Sequence, residues 1–328
     1  MDGLHRTRAL VTGGAGFVGS HLCERLLDEG SFVLCADDFA SGTRENLAAL
    51  EGRPGFRFIE RDVSLPGALD ELPGGPFTLV LHLACPASPA DYLRLPLETL
   101  EAGSTGTRNA LDRAARDGAR MVLASTSEVY GDPLEHPQRE EHWGHVNPVG
   151  PRSVYDEAKR YAEALVTAHR RARGTDTGIV RIFNTYGPRM RAGDGRAVPN
   201  FVQQALRAEP LTVAGDGTQT RSLCYVDDTV AGVLALARRP GVTGPVNIGG
   251  EEETTVLDLA RRIVAATGSA STVTFVEAAG DDPVRRRPDI SRARRELGWS
   301  PRIGWDEGLK RTVAWFAGRP YAAGAPPV

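Results

Sequence analysis

The sequence has 328 residues, 25% of them charged and 41% hydrophobic, with a formal net charge of −3. That near-neutral balance argues against a nucleic-acid or membrane-surface role, for which a basic excess is expected. No apolar run approaches the roughly 18 residues of a membrane span and no secretory h-region is present, so a cytoplasmic protein of about two domain-sized units, or of one large α/β unit with an appended lobe, is expected.

The chain opens with a strand pattern at Arg8–Thr12, a helix pattern at Gly16–Glu29 and a second strand at Phe32–Ala36. A helix is predicted over Thr43–Leu50, then strands at Phe56–Arg61 and Leu79–Leu83 and a long helix over Leu93–Asp117. Met121–Ser125 reads as a strand, Ser153–Arg173 as a helix and Gly178–Ile182 as another strand. Short apolar runs spaced by helices indicate a parallel sheet buried on both faces. Right-handed crossovers then give a doubly wound α/β domain of the Rossmann type.

After Ile182 the pattern loosens. Tyr186–Pro199 is rich in Gly, Pro and Arg and reads as a long functional loop. Helices are predicted at Val198–Ala208, Asp227–Arg238, Thr255–Thr267 and Trp305–Gly318. Short strands are predicted at Ser222–Val226, Val246–Ile248 and Val273–Val276. This is a smaller α+β substrate-binding lobe. The expected division is a dinucleotide-binding domain over 1–182 and the lobe over 183–318, some of whose elements return to the first domain. A frayed Ala/Gly/Pro tail is expected over 319–328.

Cys23, Cys35, Cys85 and Cys224 are scattered without a Cys-x-x-Cys pair, which reads as buried free thiols. His142 and His145 lie beside Glu140 and Glu141, but Trp143-Gly144 between them indicates a shaped loop rather than a zinc site. No metal is expected.

The first strand runs into Gly13-Gly14-Ala15-Gly16-Phe17-Val18-Gly19 and then into a helix. Gly14, Gly16 and Gly19 satisfy G-x-G-x-x-G, and Gly13, Gly16 and Gly19 satisfy G-x-x-G-x-x-G. Glycine is needed there because a tight turn must bring backbone N–H groups, with those of Phe17 and Val18, against a pyrophosphate at a helix N-terminus. Asp37 closes the second strand, where an acid accepts from both ribose hydroxyls. Its charge, reinforced by Asp38, repels a 2′-phosphate, so NAD is favoured over NADP, with Arg44 as a minor counter-indication. Asp62, next to Val63, reads equally as a cap on the adenine region or as a turn aspartate.

Tyr155 and Lys159 stand four apart at the start of a helix and share one face. A phenol is a poor base at neutral pH, and a nearby ammonium stabilises its phenolate. A surface Tyr and Lys at helical spacing is the ordinary reading. Here, however, Lys159 and Lys310 are the two lysines beside 37 arginines, so a lysine marks a place where planar arginine does not serve. The strand at Met121–Ser125 ends in Ser125-Thr126-Ser127-Glu128, aimed at the crevice where open α/β sheets bind ligands. Thr126 is positioned to hold a reacting alcohol beside Tyr155. Glu128 reads either as a solvated turn residue or as part of the site.

The glycine turn, Thr126 and Tyr155-x-x-x-Lys159 resemble the extended short-chain dehydrogenase/reductase family, which acts on nucleotide sugars. The resemblance runs from about residue 8 to about 316. It is most specific at His82–Pro89, Ala124–Pro133, Trp143–Pro148, Arg181–Met190 and Arg286–Ile290. Glu128 sets the chain apart from the 4-epimerases, which carry a small or hydroxyl residue there, and Arg286 matches the arginine that decarboxylases place at the sugar carboxylate. Two positions depart from the pattern. Gly103 replaces an asparagine that supports backbone geometry near the catalytic residues, so the resemblance does not carry the helix shape there. Arg191 follows Met190 where relatives often have histidine.

The resemblance implies an NAD-dependent carboxy-lyase that turns UDP-glucuronate into UDP-xylose by C4 oxidation, loss of CO2 and re-reduction. It assigns catalysis to Thr126, Glu128, Tyr155, Lys159 and Arg286, the last of these in an arginine run, Arg285–Arg287, that otherwise reads as a solvated face. Leu83 joins Gly13, Gly16, Phe17, Val18, Gly19, Asp37, Asp38, Asp62 and Val63 at the NAD, with Tyr155 and Lys159. Pro86, Tyr92, Ser127, Asn184, Arg191, Arg196 and Arg221 fall to the UDP-sugar. For Arg221 a surface arginine is a serious competing reading. A homodimer packed through the long helices of the first domain is also implied. Alternatives are a UDP-glucuronate 4-epimerase, for which Arg191 is suited, release of the 4-keto pentose, and, remotely, a non-catalytic dinucleotide sensor.

Overall fold

The computed structural model describes residues 7–277 and 285–318, so the tail expected to fray at 319–328 lies outside the described residues. The first half supplies strands β1 (Arg8–Thr12), β2 (Phe32–Asp37), β3 (Phe56–Glu60), β4 (Leu79–His82), β5 (Arg120–Thr126) and β6 (Thr177–Ile182). Its helices are α1 (Phe17–Asp28), α2 (Pro89–Arg94), α3 (Pro96–Glu101), α4 (Thr107–Asp117) and α5 (Ser153–Arg173). The second half adds β7 (Thr185–Tyr186), β8 (Leu211–Ala214), β9 (Thr220–Ser222), β10 (Cys224–Tyr225), β11 (Val246–Ile248), β12 (Glu253–Thr255), β13 (Val273–Val276) and β14 (Arg285–Arg286). Between and after these strands run α6 (Ala197–Leu206), α7 (Val226–Ala237), α8 (Val256–Thr267) and α9 (Trp305–Ala317).

Seven strands form one parallel sheet in the order β11-β6-β5-β4-β1-β2-β3. Its inner strands are apolar at nearly every position because helices cover both faces. One face packs Leu22, Leu26, Val122 and Val180 against Val230 and Val233 of α7. The other packs Leu10, Leu34, Val80 and Met121 against Leu111 of α4 and Ala162 and Val166 of α5. The second half thus returns twice, with β11 extending the sheet beside β6 and α7 covering it next to α1. What remains of that half carries three small sheets: β10-β7, β12-β9-β14 and β13-β8.

Most expected elements form within one or two residues of their predicted bounds. Three do not. The helix expected over Thr43–Leu50 is a single 3-10 turn at Arg44–Asn46. Asn46 is buried there and donates from Nδ2 to the Ala15 carbonyl at 3.0 Å, so a tertiary hydrogen bond overrides helix propensity. The helix expected over Leu93–Asp117 is broken. Pro96 lacks an N–H and forces Leu95 out of helical geometry, and a π turn at Ala102–Gly106 precedes α4. The strand expected at Ser222–Val226 is two, β9 and β10, interrupted at Leu223.

The π turn explains the departure at Gly103. A Cβ on Gly103 would lie 2.7 Å from the Ala158 Cβ and 2.8 Å from the Ala158 carbonyl oxygen, so the turn and α5 meet almost backbone to backbone. Ala158 sits between Tyr155 and Lys159. Replacing Gly103 by asparagine, the residue usual in the family, is expected to lower stability by about 1–3 kcal/mol through overpacking and to displace both side chains. A thermal melt and kcat measured together test this. A variant matching wild type in both would show that the close approach relaxes freely.

Candidate active site

Because all seven strands point the same way, their carboxyl ends open on one edge, where a cleft of about 1420 Å³ lies between the sheet and the second half of the chain. Every site residue singled out in the sequence lines this cleft.

At the β1 end, Gly13 has φ 72°, and a Cβ there would sit 2.6 Å from the Ala84 N. A Cβ on Gly19 would strike the Gly13 carbonyl at 2.1 Å. The turn is therefore closed to larger residues, and α1 begins at its mouth with no acid in its first turn, a setting that accepts a pyrophosphate. Asp37 is buried and binds the loop itself, accepting from the Ala15 N at 2.9 Å and the Phe39 N at 2.8 Å. Burial pushes its carboxyl up while those two N–H groups pull it down. Each carboxylate oxygen accepts more than one hydrogen bond, so ribose hydroxyls fit as well. Asp38 is exposed beside it and accepts from the Ala40 N at 3.0 Å. Arg44 is committed elsewhere, paired with Glu60 at 2.7 Å and stacked 4.5 Å from the Phe39 ring centre. Asp62 accepts from the Ser64 N and Oγ at 2.8 and 2.6 Å, which makes it a turn aspartate that also lines the cleft beside Val63, with Leu83 across from it on β4's exit. This donor and acceptor set fits NAD.

The opposite wall comes from the second half. Arg286 on β14 pairs in register with Arg221 on β9, and the Arg221 Nη1 donates to the Thr220 carbonyl at 2.8 Å. Arg196 is tied to Asp194 through Nε at 2.8 Å, and Arg191 to Asp91 at 2.7 Å. Asn184 holds β10 through its carbonyl, and Pro86 and Ser127 are buried at the cleft floor. Asp194 and Asp91 were not expected from sequence, since their role appears only through their arginines. Among the described residues no three His, Cys, Asp or Glu side chains group as a metal site, and His142 instead stacks on Tyr130.

Between the two walls stands Tyr155, on the first turn of α5 and stacked on Tyr92 with ring centres 5.3 Å apart. The Lys159 Nζ lies 5.9 Å from the Tyr155 ring centre and donates to the Ala124 carbonyl at 2.9 Å. Burial pushes the Tyr155 phenol well above its ordinary range, reinforced by Cys85, while a hydrogen bond with Thr126 pulls it back. His82, between Thr12 at 2.7 Å and Thr107 at 3.2 Å, is held down to about 3 by burial and by the Lys159 cation, so it is neutral.

Glu128 lies on the 3-10 turn that follows β5, whose N-cap is Thr126 accepting from the Glu128 N at 3.2 Å. One of its oxygens accepts from the Arg286 Nη1 and the other from the Arg152 Nη2 at 2.8 Å. Burial alone would raise the Glu128 carboxyl, but the two guanidiniums outweigh it and hold it down at about 2. Arg152 was missed in the sequence, where nothing distinguishes it from the other arginines. Asp156, one turn along α5, is 6% exposed, and its Oδ1 has no hydrogen-bond partner. Burial and the nearby Glu128 push its carboxyl up to about 7, against the pull of Arg152 and Arg286.

A raised carboxyl in the folded state destabilises the protein wherever it must ionise. The penalty is absent below about pH 4, grows through the interval and is complete above about pH 7. Asp156→Asn is therefore expected to raise the unfolding free energy above pH 7 by on the order of a few kcal/mol, seen as a higher thermal midpoint, and to leave both unchanged near pH 4. A shift that is the same at both pH values would contradict the assignment.

A family model described as the NAD dependent epimerase/dehydratase family matches residues 9–249. The chain is 49% identical over 317 residues to UDP-glucuronic acid decarboxylase 1 of Arabidopsis thaliana, covering 97% of this chain and 71% of that protein. It is 47% identical over 311 residues to UDP-glucuronic acid decarboxylase 1 of Xenopus tropicalis, covering 95% and 72%. Among solved structures, UDP-glucose 4-epimerase from Thermotoga maritima superposes with a TM-score of 0.87 at 30% identity, over 94% of this chain and 98% of that one. UDP-glucuronic acid 4-epimerase from Bacillus cereus, solved with UDP-glucuronic acid and NAD, gives 0.84 at 29% identity over the same shares. The chain belongs to the NAD dependent epimerase/dehydratase family.

Proposed function

We propose that this protein is an NAD-dependent decarboxylase converting UDP-glucuronate to UDP-xylose. The observation that carries the reading is the carboxylate of Glu128 clamped between Arg286 and Arg152, beside Tyr155 and two residues beyond Thr126. A sugar acid laid with O4 at Tyr155 meets positive charge at its C6 end.

When bound, NAD supplies the hydride acceptor at C4 and later the hydride donor. Tyr155, as its phenolate, takes the O4 proton as the hydride leaves, having given its own proton to solvent beforehand; burial opposes that form and the hydrogen bond with Thr126 favours it. The buried Lys159 ammonium stabilises the negative charge on the phenol oxygen during that transfer. The resulting 4-keto sugar is a β-keto acid, and its C5–C6 bond breaks to give CO2, with the electron pair delocalised onto O4. Thr126 and the now protonated Tyr155 donate to that oxygen. C5 then takes one proton. Glu128, held ionised by Arg286 and Arg152, is not the source, so water is assigned that role; the Glu128 charge acts instead on the substrate carboxylate, favouring its loss as neutral CO2. Tyr155 finally returns its proton to O4. The balance is one CO2 released and one proton consumed.

Gly13, Gly16, Gly19, Asp37 and Asp38 are proposed to hold the NAD, and Asn184, Arg196 and Arg221 the diphosphate end of the substrate. A homodimer through α3 and α5 is also proposed, supported by the exposed Leu97, Leu100 and Tyr161 on those helices. Light scattering is expected to give twice the 35.2 kDa chain mass, and Tyr161→Arg to shift it toward the monomer. A monomeric wild type would remove this assembly.

Mass analysis of UDP-glucuronate incubated with enzyme and NAD tests the reaction, and the expected product is lighter by one CO2. Unchanged mass with inversion at C4 would mean a uronate 4-epimerase, a reaction that the cleft-lining Arg191 also suits. A steady rise in nicotinamide absorbance would mean release of the 4-keto pentose. In Glu128→Gln, CO2 loss is expected to fall by about 100-fold or more while C4 oxidation persists. Equal loss of both would reassign Glu128 to the oxidation step.

A further inference from the structure

Two walls of the cleft meet at one buried carboxylate. Asp91, in the first turn of α2, is 4% exposed and lines the cleft. Its Oδ2 accepts from the Ser88 Oγ at 2.6 Å, and Ser88 caps the helix by accepting from the Asp91 N at 3.2 Å. Its Oδ1 accepts from the Arg191 Nη2 at 2.7 Å and from the Arg94 Nη2 at 3.3 Å. Arg191 stands in the loop between β7 and α6, on the second half of the chain. Arg94 is on α2 itself, and its Nη2 also donates to the Ala40 carbonyl at 3.0 Å, in the loop that follows β2.

The loop that carries Arg191 runs over the start of α2. A Cβ on Gly195 would sit 3.9 Å from the Ala90 N and 4.0 Å from the Pro89 Cβ. Tyr92, next to Asp91, is the residue stacked on Tyr155. The two walls therefore meet beside the reacting phenol. Asp91 joins them because one carboxylate accepts from several donors at once, and a desolvated pair of charges is costly to part.

We propose that Asp91 is a clasp, a positioning residue that acts through Arg191 to keep the cleft shut between the two hydride transfers, and so decides whether the pentose or its 4-keto precursor is released. This rests on the reading of UDP-glucuronate as substrate. If the cleft opens early, the products are the UDP-4-keto pentose, CO2 and NADH. The C4 hydride then stays on the nicotinamide, and the proton lost from O4 balances the one taken up at C5. If the cleft stays shut, the hydride returns to C4 and NAD is regenerated. The outcome depends on the rate of opening relative to the rate of hydride return. Weakening a charge-assisted bond between the walls raises the first and leaves the second alone.

Mass analysis of the UDP-sugars, read with nicotinamide absorbance, gives the ratio of 4-keto pentose to pentose. Asp91→Asn keeps the side-chain shape and removes the charge, and is expected to raise that ratio by about 10-fold. Arg191→Gln alters the other side of the pair and is expected to do the same, with the double variant adding little more. Loss of folded enzyme lowers both products together and leaves the ratio unmoved. In NAD-loaded Tyr155→Phe enzyme, where turnover is blocked, adding Asp91→Asn is expected to let a UDP chase displace UDP-glucuronate about 10-fold faster. A ratio unmoved in both single variants, or an unchanged chase rate, overturns the clasp. A wild type that forms no product lighter by one CO2 overturns the reaction and the clasp together.

Discussion

The hydrogen bond from the Lys159 ammonium to the Ala124 carbonyl ties the helix that carries the reactive phenol to the strand that carries its partners. Lys159 is 5% exposed, and a charge so placed is tolerated only where acceptors and polarisable groups surround it. The consequence is rigidity. Tyr155, one turn earlier on the same helix, cannot move relative to Thr126 and Glu128 without breaking that bond. The close approach of Gly103 to Ala158 leaves an adjacent face of the same helix little room to shift.

A second set of buried bonds holds the frame behind the site. Ser125 donates to Glu163 at 2.6 Å, and Arg181 pairs with Glu163 and donates to the Tyr130 hydroxyl at 2.9 Å. Tyr130 in turn donates to Asn247 at 2.7 Å, whose N–H reaches Glu140. The chain of contacts joins β5, α5, β6 and β11 through polar groups that satisfy one another. Desolvated polar groups are tolerable only when paired in this way. Ser125, immediately before Thr126, is thereby fixed from below, while Arg152 and Arg286 fix Glu128 from the cleft side.

Much of this was legible in the sequence. The glycine turn, Asp37 and Tyr155-x-x-x-Lys159 carry their chemistry in local spacing, and the parallel sheet follows from apolar runs of strand length. What local spacing could not reveal depends on contacts between distant segments. Asn46 turns a helical pattern into a 3-10 turn by bonding to Ala15, a residue far from it in the chain. Gly103 reads as a weak point in a helix until Ala158 is seen against it. Arg152 is indistinguishable from the other arginines until Glu128 faces it, and Asp156 carries no signal at all, because its raised carboxyl arises from burial beside another acid. Short strands such as β12 and β14 are too brief for a period to be read.

The place of β11 at the edge of the sheet has a consequence for how the molecule is made. Val246–Ile248 pairs with β6 only after the ribosome has released the whole of α6 and α7. Until then β6 is an unpaired parallel edge whose buried positions await both a neighbour and the cover of α7, the kind of edge that recruits other chains. The nucleotide-binding half therefore takes its edge strand and the cover of one sheet face from residues beyond Ile182. A gene cut at that point would sever the last strand from the sheet it completes.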